Sequence, residues 1–306
     1  MISRRIMLIV AITLVASNAG FAQAPPDPIV RVDGLRRISA HVHAIPDNSV
    51  PLVPNVGFVV GETGVLVIDT GLGPRNGAAV AEVAQRLGGA RKLYLVTTHV
   101  HPEHDLGAQA FPAQTEMLRA RAQLQDIDEF GLQTAELFAA RSAVNAELLK
   151  GAAFRKADVT FERDYEVDLG GVRVRLVAMG ANHTRGDTVA WIEADRVLFS
   201  GDIAMRAQPA FASAYSRLDQ WLASLDQLEA LKPAIVVPSH GPIGDAGFIA
   251  GYRTYLTTIR DRVTAAKRGG QTVDKTVEAV TGELAGQYPD RARLGSAVRA
   301  TYNALP

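Results

Sequence analysis

The sequence predicts an α/β fold in which two β-sheets pack face to face with helices outside them. Strand-like and helix-like segments alternate, and the strands read as near-continuous apolar runs, as expected for sheets that helices cover. One arrangement also occurs twice: GVLVIDTG, a helix and LYLVTTH, and later RVLFSGD, a helix and AIVVPSH. Each unit is strand–helix–strand, and its strands end in residues that can bind a metal. Two such halves, packed sheet to sheet, would bring four strand ends together.

The remaining elements follow from local patterns in chain order. NVGFVVGETGVLVIDTG predicts a hairpin that turns at residues 62–64, GAAVAEVAQRLGG a helix closed by glycines, and KLYLVTTH a buried strand. The Ala- and Leu-rich region from Thr115 to Lys150 is expected to be helical. Two further hairpins are predicted, around Gly170-Gly171 and Ala194-Asp195. An amphipathic helix in LDQWLASLDQLEALK, the strand AIVVPSH and helices from Gly247 onward complete the chain.

The first residues have the composition of a secretory signal. Arg4 and Arg5 precede a short apolar stretch and then small residues, which predicts a signal peptide over residues 1–22. The alternative is an N-terminal membrane anchor, but the apolar run is short and a small-residue cleavage site follows it. We expect a linker over residues 23–30, and then one domain over residues 31–306 with a C-terminal helical extension. The mature protein would be periplasmic or secreted, with no stable membrane anchor. Sec export is favoured over Tat, although SRRIML faintly resembles a twin-arginine signal.

Charge and cysteine content exclude several classes of site. The 306 residues contain 32 Lys+Arg and 32 Asp+Glu, so the formal net charge is zero and gives no electrostatic basis for binding nucleic acid. The chain has no cysteine, which excludes disulfides, thiol nucleophiles and thiolate metal sites. The expected partner is a small-molecule substrate, and the oligomeric state is left open.

The densest group of ligand-type side chains is TTHVHPEHDLG, residues 97–107, directly after the apolar run LYLV. His99 and His101 alternate along the chain, so they converge if the segment is extended. Glu103 and His104 then point elsewhere, which suits a second ion better than a fourth ligand to the first. Imidazole and carboxylate without thiolate suit zinc, with iron and manganese as alternatives.

A second His-x-His pair, His41 and His43 in SAHVHAIP, is a competing candidate. Alternating strand residues share a face, so this pair could also chelate an ion. No acid and no third histidine lie near it in the sequence. A solvated strand face is therefore the preferred interpretation.

Five motifs carry a resemblance to a known family. GVLVIDTG, TTHVHPEHD, NHTRGD, LFSGD and VPSHGP occur in the order and spacing of metallo-β-lactamase superfamily hydrolases, from about Asn55 to Pro242. The chain leans toward the glyoxalase II-like and cysteine-free lactamase-like branch. The resemblance implies a four-layer αββα sandwich and a site for one or two zinc ions. Carried over residue by residue, it implies His99, His101 and His183 for the first metal, Glu103, His104 and His240 for the second, Asp202 as the bridge, and Asp69 as the residue that orients a ligand histidine.

The chain departs from the family pattern at Glu103, where the family normally has Asp. Glu is one methylene longer, so its carboxylate reaches about 1.5 Å further. Asp105 is not expected to replace it, because Asp105 is predicted to cap a helix that starts at DLGAQAF. The family's chemistry assigns catalytic roles to Glu103 and Asp202. The alternative is an inactive relative that retains a structural metal.

The resemblance implies an exported zinc-dependent hydrolase of an ester, thioester, lactone or amide bond, with a water deprotonated between the ions as nucleophile. The alternatives are a β-lactam hydrolase and, in another class, a non-catalytic periplasmic protein that binds a metal or ligand. Arg185 and Arg206 follow ligand motifs and could bind a substrate carboxylate, although a solvated surface position is the preferred interpretation for each. The loops Ile45–Asn55 and Arg206–Tyr215 are the candidate specificity segments.

Overall fold

Two β-sheets lie at the centre of the computed structural model, which describes residues 26–205 and 215–305. The predicted signal peptide and Arg206 lie outside the described residues. The first sheet has seven strands in sequential order, of which β4 to β7 run parallel to one another. These strands are β1 (Arg36–Arg37), β2 (Val42–Ile45), β3 (Val56–Val60), β4 (Gly64–Ile68), β5 (Lys92–Val96), β6 (Glu116–Ala120) and β7 (Val159–Phe161).

The second sheet has five strands in the order β12-β11-β10-β9-β8, and only the pair β11 and β12 is parallel. Its strands are β8 (Asp164–Asp168), β9 (Arg173–Gly180), β10 (Asp187–Ile192), β11 (Val197–Gly201) and β12 (Ile235–Pro238). The described helices are α1 (Gly73–Gly88), α2 (Pro102–Asp105), α3 (Arg121–Asp126), α4 (Leu132–Ala139), α5 (Ala143–Leu148), α6 (Leu218–Ala230), α7 (Gly247–Arg268), α8 (Val273–Leu284) and α9 (Arg291–Ala304). A π-helical turn, Ile127–Gly131, joins α3 to α4.

The two sheets pack face to face, and apolar side chains from both fill the space between them. Leu66 and Ile68 of β4 lie in one buried cluster with Phe199 of β11 and Val237 of β12. Helix α1 covers the outer face of the first sheet, and α6 to α9 cover the outer face of the second. This arrangement confirms the predicted αββα sandwich. In the part of the chain that the structure describes, no helix is long and apolar enough to cross a membrane.

The internal repeat is a repeat of structure as well as of sequence. Strand β4, helix α1 and strand β5 form one parallel strand–helix–strand unit, and β11, α6 and β12 form the other. The three predicted hairpins are also present, as the antiparallel pairs β3–β4, β8–β9 and β10–β11. The helices predicted from Gly247 onward are α7, α8 and α9.

The prediction of a helix from Thr115 is wrong for the first residues of that region. Glu116–Ala120 form β6, which pairs in parallel with both β5 and β7. The residues of β6 favour a helix in isolation, but Met117 and Leu118 are fully buried against the rest of the fold. Such packing overrides intrinsic propensity. Strand β7 was not predicted, because its three residues carry too little periodic signal.

Asp105 does not cap a helix, contrary to the prediction. It is the last residue of α2, it is fully buried, and its carboxylate accepts two hydrogen bonds from the buried Arg119 guanidinium of β6. Thr97 also donates a hydrogen bond to Asp105, over 2.9 Å. A buried cation needs a paired anion. Asp105 is therefore the counterion that ties the loop of residues 97–107 to β6.

Candidate metal centre

The candidate metal centre lies where strands of both sheets end. The residues that follow the carboxyl ends of β4, β5, β11 and β12, together with the loop between β9 and β10, converge there. They are Asp69, His99, His101, Glu103, His104, His183, Asp202 and His240. The strand ends of the two repeat units thus meet at one edge of the sandwich, as the sequence analysis expected.

Three histidine nitrogens approach one another in the first group of ligands. His101 Nδ1 lies 3.0 Å from His99 Nε2 and 3.3 Å from His183 Nε2. The three ligand atoms all lie within 4.8 Å of one another. Such a spacing lets all three bind a single ion.

A second group lies beside the first and includes Glu103. Glu103 Oε1 is 3.8 Å from His104 Nε2 and 3.9 Å from His240 Nε2. Glu103 is nearly buried and forms part of α2, whose single turn begins at Pro102. Within the loop of residues 97–107, the first-group ligands His99 and His101 therefore precede α2, and the second-group ligands Glu103 and His104 lie in it.

Asp202 lies between the two groups. Its Oδ2 is 3.4 Å from His183 Nε2 of the first group. Its carboxylate also forms a ligand-spaced set with His99 and His104. This position suits a carboxylate shared by two ions.

The ring nitrogens that face away from the centre are held by the protein. His104 Nδ1 donates to Asp69 Oδ2 over 2.9 Å, and His240 Nδ1 donates to the Val53 carbonyl over 3.0 Å. Thr98 Oγ1 lies 3.2 Å from His99 Nδ1 and donates to Asp69 Oδ2. These bonds leave Nε2 of all three histidines facing the centre, as for metal-ligating histidines generally.

Asp69 has an uncommon backbone conformation for a non-glycine residue, with φ of 64°. Its carboxylate also accepts a hydrogen bond from the Thr98 amide over 2.7 Å. One side chain thereby fixes both the chain direction after β5 and the orientation of His104. Backbone strain of this kind is often found at functional sites.

Burial and neighbouring charges separate the pKa values of the histidines. Burial lowers the pKa values of His99 and His101 well below the ordinary value, and neighbouring imidazoles add to the effect. Arg141 contributes a smaller lowering to the pKa of His101. Burial also opposes a charge on His104, but Asp69 outweighs it and raises the His104 pKa to about 9.

Two of the buried carboxyl groups near the centre, those of Asp202 and Asp187, have pKa values shifted in opposite directions. Burial would raise the pKa of Asp202, but the imidazoles of His183 and His240 hold it below its ordinary range. Burial dominates at Asp187 and raises its pKa to about 8, although Thr184 and the His183 backbone amide donate hydrogen bonds to it. Asp202 is thus available as an anionic ligand, whereas Asp187 shapes the loop that carries His183.

Buried polar atoms without partners support metal binding at this centre. Among the described residues, Glu103 Oε2, His104 Nε2 and Asp202 Oδ1 are buried and make no hydrogen bond. Leaving such an atom unpaired costs about 1–3 kcal/mol, and more when the group is charged. All three belong to residues of the two candidate ligand groups. Together with His99, His101 and His183, these residues give a nitrogen and oxygen donor set that fits divalent zinc.

The loop from Ile45 to Asn55 positions His240. The Asn55 side-chain amide donates to the carbonyls of Pro238, over 2.7 Å, and Gly241, over 2.8 Å, on either side of the ligand. Asp47 accepts a hydrogen bond from the Gly241 amide over 2.7 Å. We define Asp47, Val53 and Asn55 as the His240 brace. Sequence reasoning named this loop for specificity and missed its structural role, which depends on contacts across 180 or more residues of chain.

The other sequence candidates lie elsewhere. His41 Nδ1 is 2.8 Å from Asp195 Oδ1 in the β10–β11 turn, and neither His41 nor His43 belongs to a ligand-spaced group among the described residues. The Arg185 guanidinium is paired with Asp126 and Glu129 and lies over the ring of Tyr215. Arg206 lies outside the described residues.

A pocket of about 340 Å³ opens onto the centre. Its polar lining includes His101, Glu103, His183, Asp202 and His240. Its other lining residues are Leu52, Phe130, Thr134, Leu137, Phe138, Arg141, Met205, Tyr215 and Arg293. Most of these were not singled out in the sequence, because they come from helical segments whose apolar pattern also suits core packing.

Comparisons with known proteins agree with this fold. A family model described as the metallo-beta-lactamase superfamily matches residues 49–240. A curated metallo-beta-lactamase type 2 from Bacillus sp. (strain 170) is 22% identical over 204 residues, which cover 64% of this chain and 70% of that protein.

Two solved structures show the same fold. A metallo-beta-lactamase from Pontibacter korlensis superposes with a TM-score of 0.56 at 23% identity, covering 73% of this chain and 98% of that one. A stereoselective inverting sec-alkylsulfatase from Pseudomonas sp. superposes with a TM-score of 0.65 at 15% identity, covering 88% of this chain and 50% of that one. At these identities the structural likeness concerns the fold alone.

Proposed function

The chain belongs to the metallo-β-lactamase superfamily of metal-dependent hydrolases, and from this premise we propose that it is an exported zinc-dependent hydrolase of an ester, thioester, lactone or amide bond. The observation that carries the proposal is the convergence of two ligand groups at the floor of one open pocket. A structural metal is usually enclosed by its ligands, whereas a catalytic one keeps a position open.

Each group of residues has a definite task in this proposal. His99, His101 and His183 would hold one ion, and Glu103, His104 and His240 the other, with Asp202 shared. When bound, the ions supply Lewis acidity and lower the pKa of a water molecule. The carboxylates of Glu103 and Asp202 would orient the attacking water and accept its hydrogen bonds. The apolar pocket wall limits the access of bulk water and places the scissile group over the ligands.

Zinc is proposed over manganese because of the donor set, and iron stays the alternative because imidazole suits both zinc and iron. The centre offers five imidazoles and two carboxylates among the candidate ligands, and this nitrogen-rich composition suits zinc better than manganese. The glyoxalase II-like branch stays a prediction from the sequence.

The test is an assay of zinc-reconstituted protein against esters, thioesters, lactones and amides. We expect turnover of at least one class, and its loss in Asp202→Asn. His41→Gln is the matched control, because it alters a histidine outside the centre and should retain activity. A folded, zinc-loaded protein without activity on any class would contradict the hydrolase proposal. A non-catalytic metal- or ligand-binding protein would then be the better description.

β-Lactams form a second substrate arm of the same assay. Two curated relatives, from Bacillus sp. (strain 170) and Bacillus cereus, are both metallo-beta-lactamases type 2, each 22% identical to this chain. Turnover of a β-lactam at a higher kcat/KM than of any ester or thioester would favour this alternative. A lower kcat/KM for every β-lactam than for an ester or thioester would show that β-lactams are not the preferred substrates.

Export is proposed from the basic, apolar and small-residue pattern of residues 1–22. Mass spectrometry of protein isolated from its native cells should find a new N-terminus near Gln23, in the periplasm or medium. Intact Met1 in the soluble cytoplasmic fraction would contradict export.

A further inference from the structure

The pocket over the metal centre joins a cation to an apolar wall. Arg141 lines it from the turn after α4, on the same cavity as His101, Glu103 and Asp202. The Arg141 guanidinium carbon lies 3.8 Å from the centre of the Phe138 ring, and that ring lies 5.8 Å from the ring of His101. The Arg141 cation thus lies over the Phe138 ring, and that ring lies beside His101, a ligand of the first group.

Arg141 differs from Arg185 and Arg293, the other described arginines near the pocket, because no carboxylate pairs with it. In the described part of the chain, no carboxylate oxygen lies within 4.0 Å of its guanidinium, and the residue is exposed. Arg293, which also lines the pocket, lies 3.5 Å from Asp290, and Arg185 is paired with Asp126 and Glu129. Among the described residues that line the pocket, Arg141 is therefore the cation that a ligand can pair with at the lowest cost.

The carboxylates of the pocket do not compete for this charge once metals are bound. Glu103 and Asp202 are the acidic residues of its described lining, and both belong to the ligand groups. Two divalent ions carry more positive charge than these two carboxylates carry negative charge. The loaded pocket is then cationic, and its field favours anionic ligands.

The remaining wall is apolar and suits a hydrocarbon body. Leu52, Leu137, Phe138 and Met205 line it, with the rings of Phe130 and Tyr215 stacked at 6.3 Å. Leu137 is 60% exposed, so its side chain is accessible to a ligand in the pocket.

We propose that Arg141 anchors an anionic group of the substrate, a carboxylate in the first instance, while the apolar wall holds the substrate's hydrocarbon body and the scissile bond lies over the ligand groups. This inference rests on the proposed hydrolase function and narrows its substrate class to amphipathic anions. Arg141 acts as a specificity-determining residue, through a charge-assisted hydrogen bond of bidentate geometry.

A binding experiment tests the proposal without requiring turnover. Two probes of the same shape are compared by isothermal titration calorimetry, 4-phenylbutyrate and its neutral analogue 4-phenylbutyramide. Both zinc-loaded and metal-free protein are used, because a carboxylate could also bind zinc directly. The variants are Arg141→Gln, Arg141→Lys and the control Arg86→Gln, which removes the same charge from the exposed face of α1.

We expect zinc-loaded wild type to bind the carboxylate more tightly than the amide, and metal-free wild type to show a smaller preference, because the charges of Glu103 and Asp202 are then not offset by metal. Arg141→Gln should weaken the carboxylate about tenfold, which corresponds to one hydrogen bond to a charged group, and leave the amide unchanged. Arg141→Lys should recover part of the loss, and Arg86→Gln should match wild type. An unchanged carboxylate preference in Arg141→Gln would overturn the proposal, as would failure of both probes to bind.

The same variants distinguish this inference from the proposed function. Hydrolysis confined to neutral substrates, unaffected by Arg141→Gln, would leave the hydrolase standing and overturn the anion subsite. Arg141-dependent carboxylate binding without any hydrolysis would leave the subsite standing and contradict the hydrolase.

Discussion

Glu103 is the residue at which this chain departs most clearly from the pattern of its family. Residues 102–105 form a single helical turn, and Glu103 Oε1 lies about equally far from Nε2 of His104 and Nε2 of His240. The free Oε2 atom is buried without a partner. This geometry supports Glu103 as a ligand of the second ion.

Glu103→Gln keeps the side-chain volume and removes the charge, so it tests that assignment. We expect the affinity for the second ion to fall by about 10- to 100-fold or more, since even changes outside the ligand sphere have effects of that size. The affinity for the first ion should stay near wild type. Competition with a chromophoric chelator measures both, with the exposed α1 variant Glu82→Gln as control. Equal affinities in Glu103→Gln and wild type would contradict the assignment.

Because of His104, binding of the second ion should release more protons than binding of the first. Its metal-free pKa of about 9 means that the ring is protonated at pH 7, and the ion must displace that proton from Nε2. The pKa values of His99 and His101 are lowered, so the first ion displaces none from them. We expect the second ion to release about one more proton at pH 7 than the first, and this excess to vanish as the pH rises through 9.

Calorimetry in buffers of different ionisation enthalpy measures this release. Asp69→Asn is the diagnostic variant, because it removes the charge that raises the His104 pKa and should abolish the excess at pH 7. Equal proton release by the two ions in wild type would contradict the prediction.

At the scale of elements, the His240 brace links the loop after β2 to the end of β12. Asn55→Ala removes the two hydrogen bonds that flank His240, one buried and one partly buried, and also the bond that Asn55 Oδ1 accepts from the Asp47 amide. We expect a loss of about 1–3 kcal/mol in the free energy of unfolding and also a weaker second metal site. Asn76→Ala is the matched control, because Asn76 is a buried asparagine that binds the amides of Ile29 and Val30 away from the centre.

Asn76→Ala should therefore lower stability by a similar amount and leave metal affinity unchanged. Chemical denaturation and metal competition on both variants make the comparison. Equal metal affinities in Asn55→Ala and Asn76→Ala would contradict the prediction, and would show that the His240 brace stabilises the fold alone.

The ion pair between α2 and β6 is a second link between elements. Arg119 and Asp105 are fully buried, so removal of one partner leaves the other as a buried charge without a counterion. We expect Arg119→Leu to lower the free energy of unfolding by about 3–5 kcal/mol. The exposed pair Arg173–Glu166 is the control, and Arg173→Leu should cost no more than about 1 kcal/mol. A small, equal effect in both variants would show that Asp105 does not anchor the loop.

The same ion pair shows why part of the fold escaped sequence analysis. TEMLRA contains good helix formers, and its strand state depends on β5 and β7 and on a counterion that belongs to the ligand loop. Local patterns carry no information about such partners. The hairpins and the helices from Gly247 onward were predictable because their turns and periodicity are local.

At the scale of the whole molecule, the repeated strand–helix–strand unit is the feature that the sequence predicts most clearly. Both units are parallel in the structure, and their strand ends meet at the ligand groups. The motifs predicted which residues would lie together there. The role of Arg141 and of the His240 brace could not be predicted, because both depend on packing between segments far apart in the chain.

The central claim is that this edge of the sandwich binds two divalent ions, and elemental analysis after zinc reconstitution tests it most directly. We expect about two ions per chain in wild type and in the double variant His41→Gln/His43→Gln, and about one in Glu103→Gln, all at the lowest free zinc concentration that saturates wild type. Fewer than about half an ion per chain in folded wild-type protein, or loss of an ion in the double variant, would contradict it.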